Sequence, residues 1–103
     1  MSAVPELTVI WWRDIPAQVV ARAGRRETAK AELPERFQEA IDAAAMRAGL
    51  IGTDSYLEEW RRETRPCGDD LDGEAAAEAA RLDGIYTDGE LERLVRQNGK
   101  DEE

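Results

Sequence analysis

Two stretches of the chain carry the residue types from which a reactive or binding site is built. Cys67-Gly68-Asp69-Asp70 follows Pro66 and sets a thiol beside two carboxylates. A thiol is a nucleophile only as thiolate, which a nearby cation or helix dipole favours. Arg61, Arg62 and Arg65 are close enough in sequence to supply that charge, while Asp69 and Asp70 oppose it. The bland alternative is a small side chain packed in a turn, the default for a lone cysteine. Trp11-Trp12-Arg13-Asp14 is the second stretch. Large aromatics belong in cores, yet Trp and Arg also concentrate at binding hot spots, and adjacent strand residues point to opposite faces. The preferred reading packs one tryptophan under the helix and the other over the outer face, with Arg13 and Asp14 closing the strand end; the functional alternative leaves one exposed tryptophan to anchor a partner.

Two further clusters have simpler readings. Asp69, Asp70, Asp72 and Glu74 suggest a metal, but Gly73 comes too early for a calcium loop, and carboxylates at the start of a helix stabilise its positive end. Helix capping is preferred, and no metal or cofactor is expected. Arg22, Arg25, Arg26 and Lys30 form a basic cluster without interleaved aromatics. A solvated hairpin tip explains it; a contact with the acidic C-terminal helices, of this copy or another, is the alternative. No glycine pattern matches a phosphate-binding loop.

Composition narrows the chemistry. The 103 residues include no His and one Cys, which removes the commonest general base and excludes an internal disulfide or a CxxC redox pair. The net charge of −9 opposes nucleic acid or an anionic membrane as partner. The charge is uneven: residues 1–66 carry 10 basic and 11 acidic side chains, residues 67–103 carry 4 and 12. Met1 to Pro5 holds no basic residue and no long apolar run follows, so no targeting signal is expected and a cytoplasmic location is.

The elements that would position these residues can be read from periodicity. Leu7 to Arg13 is β-branched and aromatic and reads as a strand, with Leu7, Val9 and Trp11 on one face and Thr8, Ile10 and Trp12 on the other, both needing at least partial cover. Asp14-Ile15-Pro16 is expected to break it, since Pro16 has no amide hydrogen for a ladder and restrains the residue before it. Residues 17–33 read either as a hairpin, 18–23 and 27–33 about Gly24-Arg25-Arg26, or as a short helix ending at Gly24; the period of two over Thr28 to Leu33 favours the hairpin. Pro34 to Ala48 is a helix with one apolar stripe and a glycine stop at Gly49. Tyr56 to Glu63 alternates as a strand would, although Ser55 and Glu58 also suit a helix cap. Residues 73–82 and 88–97 are helical, the second capped by Thr87 and Glu90.

Three blocks taken in order, Ile10-Trp11-Trp12-Arg13-Asp14-Ile15-Pro16, Arg36-Phe37-Gln38-Glu39-Ala40-Ile41-Asp42 and Pro66-Cys67-Gly68-Asp69-Asp70-Leu71, resemble a small bacterial family known only as "virulence factor". The resemblance spans about Leu7 to Leu71. It brings no catalytic residues with it. Genes of such proteins lie beside folate and corrinoid methyl-transfer genes, so the resemblance implies an accessory role in one-carbon metabolism.

The expected architecture is α+β: a small, mainly antiparallel sheet of three or four strands, one helix packed on a face, and acidic C-terminal helices. It forms one domain, 1–98, with a core at 6–66, a helical appendage at 67–98 and a disordered tail at 99–103. The expected function is a noncatalytic, protein-binding accessory module that holds a larger partner through an exposed aromatic and the cluster of Arg22, Arg25, Arg26 and Lys30, with Trp11, Trp12, Arg13 and Asp14 as candidate binding residues. The alternative is a small enzyme or subunit with a site at Cys67, Asp69 and Asp70. The oligomeric state is left open by the sequence.

Overall fold

The structure, a computed structural model, describes residues 4–101. The first three residues of the segment judged free of a targeting signal, and the last two of the tail, lie outside the described residues. Eight elements follow in order: β1 (Glu6–Trp12), β2 (Ile15–Ala23), β3 (Glu27–Glu32), α1 (Glu35–Arg47), α2 (Asp54–Glu58), β4 (Trp60–Pro66), α3 (Leu71–Ile85) and α4 (Asp88–Arg96). The strands make one antiparallel sheet in the order β3-β2-β1-β4. The class is α+β, as the periodicity predicts.

The hairpin reading of residues 17–33 holds. Ala23 pairs with Glu27 across the three-residue turn, and Gly24 takes the positive φ of 68° that the turn requires. The break expected at Asp14-Ile15-Pro16 falls at its first residue, and Pro16 itself lies inside the next strand. The chain reverses earlier, at Arg13-Asp14, where Arg13 itself has φ 53°, and β2 starts at Ile15. Pro16 is tolerated because β3 pairs with β2 only from Gln18 onward and because the β1–β2 register slips at Ala17, so no ladder bond is demanded of it.

Alternation along the strands sends Leu7, Val9, Val19, Ala21 and Ala29 into the core. Helix α3 lies against β2 and β3, whereas α1 meets β2 and packs along α4. The C-terminal third is thus not an appendage: Leu71, Ala75, Leu82, Leu91 and Leu94 join Trp12, Phe37 and Ile41 in one core. Its apolar stripe is thin, but alanine lets a helix approach a sheet closely, so few large side chains suffice. Arg36 of α1 ties these layers together by donating to the carbonyls of Tyr86 (2.7 Å) and Asp83 (3.0 Å).

Helix α1 ends as Gly49 predicts: with φ 72° it donates to Met46, and Leu50 donates to Ala45. The strand expected over Tyr56 to Glu63 is corrected at its start. Residues 54–58 form the short helix α2, and β4 begins only at Trp60. The cap is Thr53, not Ser55; its Oγ1 accepts from the Tyr56 amide. A helical turn there packs Tyr56 between Trp12 and Trp60, with centroids 5.7 Å and 6.2 Å away, which a strand through Tyr56 would not do.

Of the segment expected to be loose, Gly99 to Asp101 is held. Gly99 is buried, its carbonyl accepts from the Asp14 amide at 2.8 Å, and the Asp101 amide donates to Asp14 Oδ2 at 2.6 Å. A Cβ on Gly99 would stand 2.8 Å from Trp12 Cζ3, so only glycine allows the tail to close over that ring.

Candidate functional site

Each predicted site residue can now be placed. Trp12 is fully buried; its indole Nε1 donates to the Tyr56 carbonyl at 3.0 Å. Trp11 is half-buried, edge-on to Tyr86 at 6.0 Å, with the Arg61 guanidinium 5.0 Å from its ring. Neither tryptophan is a free anchor: the protein uses both for its own packing. Arg13 is also committed, donating to the Asn98 carbonyl (2.8 Å) and Glu59 (3.3 Å) while lying over Trp12. Asp14 accepts from Arg61 as well as from Asp101. A shallow depression there is lined by Arg13, Asp14, Glu58, Glu59, Arg61 and Lys100. Three cations face three carboxylates in it, which gives no selectivity for either sign of ligand.

Cys67, Asp69 and Asp70 lie at the other end of β1, beside Pro5, whose carbonyl accepts from the Cys67 amide. Six residue steps at about 3.3 Å separate the two ends of the strand by about 20 Å. The two predicted groups therefore do not form one site. Burial pushes the Cys67 thiol up from its ordinary pKa, and Glu74, Asp69 and Glu6 push the same way against Arg65. That environment disfavours the thiolate. Asp70 caps α3 as predicted, its Oδ1 accepting from the Gly73 amide at 3.2 Å. The fit is close enough that a Cβ on Gly73 would meet Asp70 Oδ2 at 2.2 Å.

A different surface collects the residues left without internal work. The helices cover only one side of the sheet. Along the other, Glu6, Thr8 and Ile10 of β1, Gln18, Val20 and Arg22 of β2, Lys30 of β3 and Arg62 and Thr64 of β4 line an open trough of about 570 Å³. The register explains the grouping: Lys30, Val20, Thr8 and Thr64 stand in one cross-strand row, and Gln18, Ile10 and Arg62 in the next. Thr8 and Thr64 share a hydrogen bond of 2.9 Å, Ile10 and Val20 are half-buried, and Arg22, Lys30 and Arg62 are exposed. The sequence predicts at least partial cover for both faces of β1, and Thr8 and Ile10, on the face away from the helices, are half-buried.

Charge distinguishes this trough. Arg13, Arg36, Arg61, Arg65, Arg81 and Arg93 each pair with a carboxylate. Among the described residues eight cations have no carboxylate within 4.0 Å; Arg47, Arg96 and Lys100 lie elsewhere, whereas Arg22, Lys30 and Arg62 line the trough and Arg25 and Arg26 stand at the hairpin tip beside it, with Glu6 and Glu32 on the same face. Four of the five at the trough belong to the basic cluster read from sequence as a solvated hairpin tip. Arg62 and the apolar row were missed there, because only strand pairing brings them alongside.

One more group went unread. Glu78, on the buried stripe of α3, is only 6% exposed, with Arg81 donating to both its oxygens (2.7 and 2.6 Å) and Arg65 at 3.6 Å. The Arg81 hydrogen bonds hold its carboxyl below the usual range, against the effect of burial. The ion pair with Arg65 joins α3 to β4, and the group is structural.

No helix among the described residues is long and apolar enough to cross a membrane. Comparison with curated proteins finds no match, and comparison with solved structures finds none. A family model described as "Virulence factor" matches residues 10–95. That match takes in all three sequence blocks, three of the four strands almost whole and nearly all of the helical layer; the chain belongs to the virulence factor family.

Proposed function

We propose that this protein is a noncatalytic accessory module that holds a larger protein against the bare face of its sheet. The observation that carries this is the contrast between the two faces: one is sealed by α3, while the other leaves a half-exposed apolar row flanked by cations with no internal partner. Antiparallel sheets tolerate water on one face, but such a face ordinarily alternates to polar residues. Ile10 and Val20 depart from that rule beside exposed Arg22, Lys30 and Arg62, the mix of apolar centre and charged rim found at protein contacts.

The enzyme reading has less support. Cys67 is biased toward the thiol, Asp70 is occupied in capping, and Arg13 and Asp14 are tied into the β1–β2 turn. The partner we propose, from the gene neighbourhood that membership of the family implies, is an enzyme of folate- or corrinoid-dependent methyl transfer.

The test is affinity capture from the native host, with wild-type protein and Val20→Asp/Arg62→Glu as parallel baits. A Met46→Ala bait, altered on the exposed side of α1, serves as control. A methyl-transfer enzyme retained by wild type and by the control, lost with the double variant, and bound again when purified would support the reading. Retention that ignores the sheet substitutions would remove it.

A further inference from the structure

Resting on the reading of the bare face as a contact surface, we propose that its occupant is an extended, acidic polypeptide segment of a partner protein. The segment lies across the strands from Lys30 to Arg62, with carboxylates about four positions apart.

The geometry comes from the pairing register. Lys30 and Arg62 sit on the two edge strands, three strand spacings apart and one cross-strand row removed. At about 4.8 Å per strand and about 3.3 Å per residue, their Cα atoms are about 16 Å apart. An extended chain covers about 13 Å between side chains at i and i+4 on one face. The flexible stems of Lys30 and Arg62 close the difference. Residue i+2 then falls over Val20 and Thr8, where the floor is half-buried and uncharged, so an apolar or hydroxyl side chain fits there. Arg22, with Arg25 and Arg26 at the hairpin tip, extends the cationic end beyond Lys30 and accommodates a further acidic residue.

Charge complementarity selects the class of partner. The five cations stand unpaired in a chain of net charge −9, so they are not a diffuse consequence of a basic composition. That same net charge, with twelve carboxylates in residues 67–103, repels a long polyanion wherever it runs past the trough. A short acidic segment neutralises the local cations without meeting that repulsion. Glu6 opposite Arg22 and Glu32 beside Lys30 limit the number of carboxylates the face accepts and set their positions.

The experiment measures fluorescence anisotropy with the full chain and three labelled probes: a ten-residue Ser/Thr peptide with Glu at its third and seventh positions and Val at its fifth, the same peptide with Gln for Glu, and a ten-nucleotide oligothymidine. The proteins are wild type and Lys30→Glu/Arg62→Glu, both positions being exposed, with circular dichroism as the check that the variant is folded. The expected result is saturable binding of the Glu peptide, at least ~10-fold weaker with Gln or with the double variant, and weaker as salt rises from 50 to 200 mM. Equal binding of the Gln peptide, preference for the oligonucleotide, or indifference to the double variant would overturn the inference. So would a wild-type dimer in sedimentation that the double variant abolishes, since the occupant would then be a second copy. If no peptide binds while host-protein capture still depends on Val20 and Arg62, the acidic segment is refuted and the contact surface stands. If capture ignores both positions, both fail.

Discussion

Replacing Gly99 with alanine tests whether the chain's end is part of the fold. Two costs are legible in the structure. Gly99 has φ 85°, where an alanine loses about 1 kcal/mol relative to glycine. The added Cβ would also stand 2.8 Å from Trp12 Cζ3 and 3.5 Å from Ala44 Cβ, against a ring with no exposed surface. Overpacking of that kind adds roughly 1–3 kcal/mol. The sum of roughly 2–4 kcal/mol corresponds to a loss of roughly 8–32 °C in Tm for a domain of this size. Gly52→Ala is the internal control, because Gly52 has φ 78° but nothing within 4 Å of its would-be Cβ. It should lose only the backbone contribution of about 1 kcal/mol, or roughly 4–8 °C. Thermal unfolding followed by far-ultraviolet circular dichroism and by tryptophan fluorescence measures both. Equal shifts for the two variants would refute the reasoning, because the closure of Gly99 over Trp12 would then contribute nothing.

Three other outcomes are expected. Glu78→Gln should destabilise by about 1–3 kcal/mol by removing charge-assisted bonds to Arg81. Because the native carboxyl holds its proton less readily than the unfolded chain does, this stabilisation is complete above about pH 4.3 and is lost as the pH falls through the lowered native value; urea denaturation at several pH values should show the wild-type advantage shrinking in acid. Asp70→Ala should cost about 1 kcal/mol through loss of the α3 cap, read from the urea midpoint, and no change would mean that the cap is dispensable. Cys67 should react with iodoacetamide at pH 7.5 at least ~3-fold more slowly than a free cysteine derivative, since burial and nearby carboxylates hold it as thiol; faster labelling would revive the enzyme reading.

How much of this the sequence discloses depends on how local each determinant is. Period two over Thr28 to Leu33, the stripe of α1 and the stop at Gly49 are contained in consecutive residues and were readable. Tyr56 and Trp60 stand four apart, a spacing that suits one helical face as well as same-side strand positions, so the boundary between α2 and β4 could not be placed. Gly99-Lys100-Asp101 has the composition of a loose tail. What orders it is a tertiary contact with Trp12 that leaves no local trace. The predicted site suffered similarly. The tryptophans drew notice by their rarity, but rarity does not distinguish a ring used inside from one offered outside. The bare face draws single residues from four strands, and Arg62 joins Ile10 and Gln18 only through the pairing of β4 with β1.

That pairing also governs what the ribosome exposes. Strand β1 meets β2 almost at once, but its other neighbour, β4, follows 48 to 60 positions later, as the partners Trp12 with Trp60 and Glu6 with Pro66 show. While the intervening segments are being synthesised, one side of Glu-Leu-Thr-Val-Ile-Trp-Trp is an unprotected, strongly apolar ribbon, open to lateral association with any similar chain nearby. Its eventual shield carries Arg61, Arg62, Glu63 and Arg65 in quick succession, so the strand that closes the hazard is itself too charged to recreate it.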